Sequence, residues 1–431
     1  MDPSQPRVLF ISYNGMLDPL GQTQVLPYLR ALAEKGIHFT LLSFERAYAF
    51  TGEGRSRCDE LRTDLAAVNI QWHALRYHQR PSVPATIYDV LQGVRLAHRL
   101  IKQNDIQLVH ARSHIPATMA LLLKKLTGVK MIFDVRGLMA EEYIEANHWQ
   151  KGNIPYRLTK LMERSAFAAS DGVVTLTERV WPVIQQWKGL QGREVAHEVV
   201  PCCADLDKFS FSSEDRERRR AELKLTDRTT IVYSGSIGPW YLTAEMADFF
   251  RQILRTRKDA HFLWLTPGNP QLIETVMNER GIPRSSYTVK RVMPADVASY
   301  LSAADVGIAF YKPGLSKLAT SPVKITEYLA CGLPVVLNSG IGDSDLFLKQ
   351  SGVGTIVPNF TEADYVNAWN ALEPLIANAD ETRRHARDFA RGKFDLHNVG
   401  ADRYFRLYEK ILPMKAQYDF AVRSGERRSI S

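Results

Sequence analysis

A chain of 431 residues is too long for one ordinary core and divides most simply into two domains. Hydrophobic residues make up 45% and charged residues 24%, which excludes a disordered or fibrous chain, and no apolar run reaches the roughly 18 residues of a bilayer span; ATMALLL breaks at Lys124 and Lys125. The net charge of +8 favours polyanionic partners, among them phosphate ligands, acidic membrane surfaces and nucleic acid, without choosing between them.

In chain order, RVLFIS, HFTLLSF, LVHA, KMIFDV and GVVTLT read as strands, and VLPYLRALAEKG and YDVLQGVRLAHRLIKQN between them carry helical spacing. That is a βαβ series with a parallel sheet. The stretch VVPCCADLDKFSFSSEDRERRR reads as a linker, with RERRR as a solvated helix face. A second series starts at Thr229: TTIVYSG, AHFLWLTP, YTVKRV, DVGIAFY and LPVVLNS, with helices at EMADFFRQILRTR, VASYLSAA and from Ser321. The expected fold is α/β, with two Rossmann-like doubly wound domains at 1–200 and 201–394. The remainder, 395–431, holds the amphipathic ADRYFRLYEKIL, which can pack back on the first domain, and the basic tail RSGERRS.

The first residues lack a basic segment ahead of an apolar run, so no secretion signal is expected. Cys58, Cys202, Cys203 and Cys331 form no CxxC pair, which fits a reducing cytoplasm. Each series opens with a strand, a glycine-bearing loop and a helix, SYNGMLDPLGQTQVLPYL and YSGSIGPWYLTAEMADFF. Neither contains GxGxxG, so bound NAD has no support. Gly15 and Gly21 in one loop, and Gly235 and Gly238 in the other, suit close backbone approach to an anion or, more simply, tight turns.

In SPVKITEYLACGLPVV, Ser321 can cap a helix that Pro322 opens and Gly332 stops. Ile325, Tyr328 and Leu329 then share one face, while Lys324 and Glu327 lie on another, away from the core side. The pair is either a solvated i,i+3 contact or a ligand site near a sheet edge. Asp134, Arg136 and Glu141 follow the strand KMIFDV, and His110 and His114 end or follow LVHA; both groups belong at the carboxyl edge of a sheet, where ligands bind in such folds.

Two such series with EYLACGLPVV late in the second resemble the retaining glycosyltransferases of family 4, glycosyl transferases group 1, with the GT-B fold. The resemblance spans nearly the whole chain. VPCCAD stands where the family often has a VIPNGVD-like stretch, and Ala319 stands where it usually has the first of two glutamates; Glu327 matches the second. Ser321, Pro322, Lys324, Glu327 and Tyr328 match the S-P-x-K-x-x-E-Y form of a subset. The resemblance implies a nucleotide-sugar donor between an acceptor-side first domain and a donor-binding second domain. Glu327 would hold the ribose hydroxyls and Lys324 the diphosphate, with Thr320, Ser321, Gly235, Ser236, Gly15 and Gly21 completing the donor site. The loop GSIGPWYLTAEM lacks the arginine and lysine of many relatives, leaving Lys290, Arg291 or Lys317 as substitutes. IFDVRGLMAEEY lies where relatives read RDLWPE, with Arg136 and Glu141 matching and Gly137 and Ala140 not. Arg136, Glu141 and His114 are therefore the catalytic candidates, against the plainer readings of Arg136 paired with Asp134 or Glu141 and His114 as a loop hydrogen-bonder.

The implied activity is transfer of a hexose from a nucleotide diphosphate to an acceptor hydroxyl with retention, in polysaccharide or glycolipid synthesis, by a cytoplasmic enzyme without metal or cofactor. Expected partners are a nucleotide sugar, a carbohydrate or lipid-linked acceptor and an anionic membrane surface, not nucleic acid. The alternatives are a GT-B epimerase or phosphorylase, or a non-catalytic nucleotide-sugar-binding protein, which Ala319 and the absent clamp favour.

Overall fold

A computed structural model describes residues 5–412; the RSGERRS tail lies outside the described residues. Strands β1 (Arg7–Ser12), β2 (His38–Glu45), β3 (Ile70–Arg76), β4 (Leu108–Arg112), β5 (Lys130–Asp134), β6 (Gly172–Thr175) and β7 (Ala196–Val199) form a parallel sheet in the order β3-β2-β1-β4-β5-β6-β7. Strands β8 (Thr230–Ser234), β9 (His261–Leu265), β10 (Tyr287–Lys290), β11 (Val306–Ala309), β12 (Val335–Asn338) and β13 (Gly354–Val357) form a second, ordered β10-β9-β8-β11-β12-β13. Helices cover both faces of each sheet, so successive strand residues feed opposite cores: Val8 and Phe10 enter one cluster, Leu9 and Ile11 another. This is the expected pair of Rossmann-like α/β domains.

Three strands escape the sequence pattern, β3, β7 and β13, and each lies at a sheet edge. An edge strand is partly solvated and needs no continuous apolar run; NIQWHALR alternates instead. The linker stretch is also more ordered than its sequence suggests. Its charge run lies on the helix Ser213–Leu223, and Arg216 reaches Asp305 at 2.5 Å and the carbonyls of Ser302 and Ala304, while Arg219 stacks over Tyr300 at 4.1 Å. RERRR is thus a fastening between helices, with Glu217 and Arg218 as its exposed members.

The chain crosses between domains twice. Ala204 N–H donates to Phe394 O and Leu396 N–H to Ala204 O, so the two crossings run side by side. The helix Asp402–Ile411 then returns to the first sheet, burying Tyr404, Leu407 and Tyr408 against Phe10, Leu108 and Ile132. Loops at the carboxyl ends of the strands meet across the domains. Asp343, 3% exposed, accepts from the amides of Glu178 (2.7 Å) and Arg179 (3.2 Å), Arg179 pairs with Asp345 (3.0 Å), and Thr177 donates to Leu318 O (2.5 Å). Reciprocally, Glu145 accepts from the amide of Ser316 (2.9 Å) and its hydroxyl.

Asp343→Ala leaves two amides at the domain junction without their acceptor. Denaturant titration should show a loss of about 1–3 kcal/mol, and an unchanged midpoint would mean that the junction contributes nothing.

Candidate functional site

The helix Val323–Ala330 is shorter than its sequence suggests, because Pro322 takes the capping position. Ser321 is occupied otherwise: its hydroxyl accepts from Cys202 N–H at 3.1 Å, and Thr326 donates to Cys202 O at 2.9 Å, tying the helix to the first domain crossing. Gly332 takes the left-handed stop, φ 74°. Ile325, Tyr328 and Leu329 pack into the core as their spacing requires.

Lys324 does not face solvent. It is 6% exposed, and its Nζ lies 4.0 Å from the Tyr241 ring centre, 4.6 Å from Tyr233 and 5.3 Å from Tyr311, donating to Tyr233 Oη at 3.2 Å. The helix face opposite the core is roofed by the glycine loop, which a wheel projection cannot register. Gly235 has φ 137°, and a Cβ there would stand 3.0 Å from the Lys324 Nζ and Cε, so the residue must be glycine. Its amide is committed to Leu265 O at 2.9 Å. Ser236 is exposed at the loop's rim, and Thr320 precedes Ser321 at the start of the helix.

Burial pushes the Lys324 amine down to about 7, with Glu327 working the other way. Burial also raises the Glu327 carboxyl to about 7, and there Lys324 opposes the shift. Glu327 is half-buried, and no hydrogen bond or ion pair holds its carboxylate among the described residues. A desolvated cation and an unpartnered carboxylate one turn apart are therefore both left without a partner of opposite charge within ion-pair distance. Of the substitute cations, Lys317 is 5% exposed with Nζ 4.5 Å from the ring of Trp240 in the glycine loop. Lys290 is bound to Glu222 at 2.7 Å, and Arg291 is exposed.

The first glycine loop is built around its own anion. Met16 and Leu17 amides donate to Glu45 at 2.7 and 3.4 Å, and Ser43 Oγ donates at 2.6 Å. A Cβ on Gly15 would stand 2.6 Å from Glu45 Oε2, and one on Gly21 would stand 2.2 Å from Gly15 O. These glycines serve close packing, and the amides after Gly15 are taken.

At the carboxyl ends of β4 and β5, Asp134 accepts from Arg136 Nη2 (2.8 Å) and Tyr404 Oη (2.9 Å) and lies 3.2 Å from His110 Nε2. Burial alone would raise the Asp134 carboxyl; Arg136, His110 and Arg112 hold it well below the carboxylate range. Arg136 Nε and Nη1 and Arg112 Nε are buried without partners. Arg112, absent from the sequence reading because LVHA stops one residue short of it, is 5% exposed and pushed down to about 10 by burial and Arg136. Arg136 thus pairs with Asp134, whereas Glu141 pairs with Lys160 (3.1 Å). His114, 6% exposed, lies 2.9 Å from Glu163. No hydrogen bond joins Arg136, Glu141 and His114 to one another. Among the described residues no group of three His, Cys, Asp or Glu side chains is placed to hold a metal ion, and no helix is long and apolar enough to cross a membrane.

Residues 21–208 match the Glycosyltransferase Family 4 domain and residues 228–373 the Glycosyl transferases group 1 domain. The chain belongs to the GT-B glycosyltransferases of family 4. A glycosyltransferase from Rickettsia africae superposes with a TM-score of 0.70 at 15% identity, covering 94% of this chain and 98% of that one. Sucrose-phosphate synthase from Thermosynechococcus elongatus gives 0.69 at 16%, covering 95% and 100%. Anabaena HepE in complex with UDP-glucose gives 0.67 at 13%, covering 94% and 99%. No curated protein matches by sequence. At these identities the likeness is one of fold.

The caged amine carries a stability signature. Its folded pKa is depressed below the unfolded value near 10.4, so protonation disfavours the folded state fully below about pH 7, and the penalty fades as pH rises toward 10. Lys324→Met should therefore be more stable than wild type at pH 6, with the gain shrinking steadily to pH 10 in thermal melts. A destabilised variant, or a gain that grows with pH, would contradict the caged arrangement.

Proposed function

We propose that this glycosyltransferase moves a sugar from a nucleoside diphosphate sugar to an acceptor hydroxyl with retention of configuration. The observation that carries this reading is the unpartnered Glu327 carboxylate one turn from the caged Lys324. An acceptor-only carboxylate suits the vicinal hydroxyls of ribose, and a lysine lacking a counterion suits a diphosphate, helped by amides at the start of the helix. Lys317, against the same loop, supplies a second positive charge. Departure of the diphosphate concentrates negative charge beside Lys324, and preorganised charge of this kind stabilises the transition state. Neither residue requires a metal or cofactor for that role. The UDP-glucose complex of Anabaena HepE makes UDP sugars the first donors to test.

On the first domain, Arg136 and Arg112 retain unpartnered N–H groups at the carboxyl edge of the sheet and are the candidates to orient the acceptor or donor sugar. Glu141 and His114, held by Lys160 and Glu163, would act by supporting that wall. A second reading, nucleotide-sugar binding without transfer, is favoured by Ala319, which stands where the family resemblance expects a glutamate and is 1% exposed, packed in the core of the first domain.

Two substitutions test the assignment. Lys324→Ala should weaken UDP binding by about 1.5–3 kcal/mol while leaving uridine unchanged, since only the diphosphate presents charge; equal losses for both ligands would reject it. Glu327→Gln turns one acceptor oxygen into a donor and should lower donor affinity about tenfold to a hundredfold. A 2′,3′-dideoxy donor should bind wild type and Glu327→Gln alike. Calorimetric titration reads both, and product formation with a hydroxyl acceptor separates transfer from binding alone.

A further inference from the structure

Half of the strongly exposed large apolar side chains, nine of eighteen among the described residues, lie on three helices of the first domain, Ser82–Gln103, His114–Thr127 and Ile154–Ala169. The middle helix packs against both others, so the three form one layer over the sheet. Their core-facing residues are satisfied, and their outer faces are not. Val83, Ile87 and Leu91 repeat every four residues along the first helix, Leu122 and Leu126 along the second, and Ile154, Leu158 and Leu161 along the third, all between 37% and 74% exposed. Such spacing places each set on one outward stripe. A solvated helix face normally carries polar residues there, and an apolar area spread over three neighbouring helices marks an interaction surface.

Charge specifies what it meets. The three helices contain eight lysines and arginines against two carboxylates, Asp89 and Glu163. Both carboxylates are buried and bonded, Asp89 to Tyr13 and His78 and Glu163 to His114 and Lys160. No acidic side chain from these helices reaches solvent. Arg95 and Arg99 continue the stripe of Val83, Ile87 and Leu91, while Lys125 adjoins Leu126 and Arg157 adjoins Leu158. These cations are exposed and form no ion pair among the described residues. Their positive field disfavours a second copy of the same face. It also disfavours the chain's own end, since residues 413–431 hold four lysines and arginines against two acids. Apolar side chains set among unpaired cations match the interface of an anionic lipid bilayer, where hydrocarbon takes the former and headgroups the latter.

We propose that this three-helix face docks the protein on an anionic phospholipid membrane. In a parallel sheet each crossover helix begins at the strands' carboxyl edge, so Val83 and Ile87 on the first helix and Ile154 and Leu158 on the third lie toward the domain junction. The third follows the helix Met139–Glu145 that touches the second domain, whereas Leu122 and Leu126 lie at the far end of the second helix. Docking therefore brings the junction to the bilayer surface. Joined to the transferase reading, and resting on it for this step alone, that orientation selects a lipid-linked acceptor whose hydroxyl stands at the membrane interface.

The test is co-sedimentation of the full chain, without donor, with vesicles of phosphatidylcholine alone and of phosphatidylcholine with phosphatidylglycerol. Binding is expected only to the latter, with release at high salt. Ile87→Glu with Leu158→Glu, and separately Arg95→Glu with Arg99→Glu, should each reduce partition by about tenfold or more, because apolar insertion and headgroup attraction act together. All four positions are exposed, so melting temperature and UDP affinity should stay at wild-type values, which keeps a failure of docking distinct from a failure of the donor site. Wild-type protein left in the supernatant with both vesicles, binding that survives both double substitutions, or a dimer dissociated by Leu158→Glu without vesicle binding would overturn the proposal.

Discussion

The Lys324 ammonium sits against three tyrosine rings with no carboxylate within ion-pair distance, and the glycine loop and neighbouring helix of the second domain are arranged around that condition. Cation–π contact with a desolvated lysine contributes about 2 kcal/mol, far less than full hydration of an ammonium, and burial accordingly pulls the amine down to about 7. The rings cannot neutralise it as an anion would. Gly235 exists to let the loop close over the amine, Tyr233 turns its hydroxyl to it, and Glu327 is kept near enough to feel its field without pairing. A site left this short of charge compensation is stabilised by whatever ligand brings the anion. That is a common property of functional sites, and it is what supports the donor-site proposal.

The cage comes wholly from the second domain, from Tyr233 within β8, Tyr241 in the loop after it, and Tyr311 and Lys324 after β11, so it persists whether or not the domains separate. The facing wall is held differently. Asp343 and Glu145 each grip backbone groups of the opposite domain, and the helix Asp402–Ile411 returns to place Tyr404 and Tyr408 over His110, Asp134 and Arg136. Because the two crossings run side by side at Ala204 and Asp395, rotation there would move the arginines relative to Lys324, at the cost of drawing Ala319 out of the first domain's core and breaking the Asp343 and Glu145 contacts.

Most of the fold was legible because buried parallel strands write themselves as short apolar runs. The three strands that were not legible all lie at sheet edges, where half-solvated positions break the run; the fourth edge, β10, still reads as YTVKRV. Lys324 and Glu327 were legible as a pair from the proline start, the glycine stop and their spacing. Their burial was not, because a helical wheel shows one element and the covering loop comes from about ninety residues earlier in the chain. The same limit hid Glu45 as the anion inside the first glycine loop and the tyrosines of the cage, none of which carries a local signature. Arg112 was hidden by one residue of strand length, and its importance rests on the neighbouring Arg136, which only pairing of β4 with β5 brings alongside.

The most direct measurement is the proton count of donor binding. At about pH 8 the free Lys324 amine is mostly neutral, and a bound diphosphate should restore its charge, so binding must draw in a proton from the buffer. Calorimetry of UDP-glucose binding in buffers of different ionisation enthalpy should give an uptake approaching one proton in wild type and none in Lys324→Met. Binding heats that are the same in every buffer, or an uptake that Lys324→Met retains, would contradict the account.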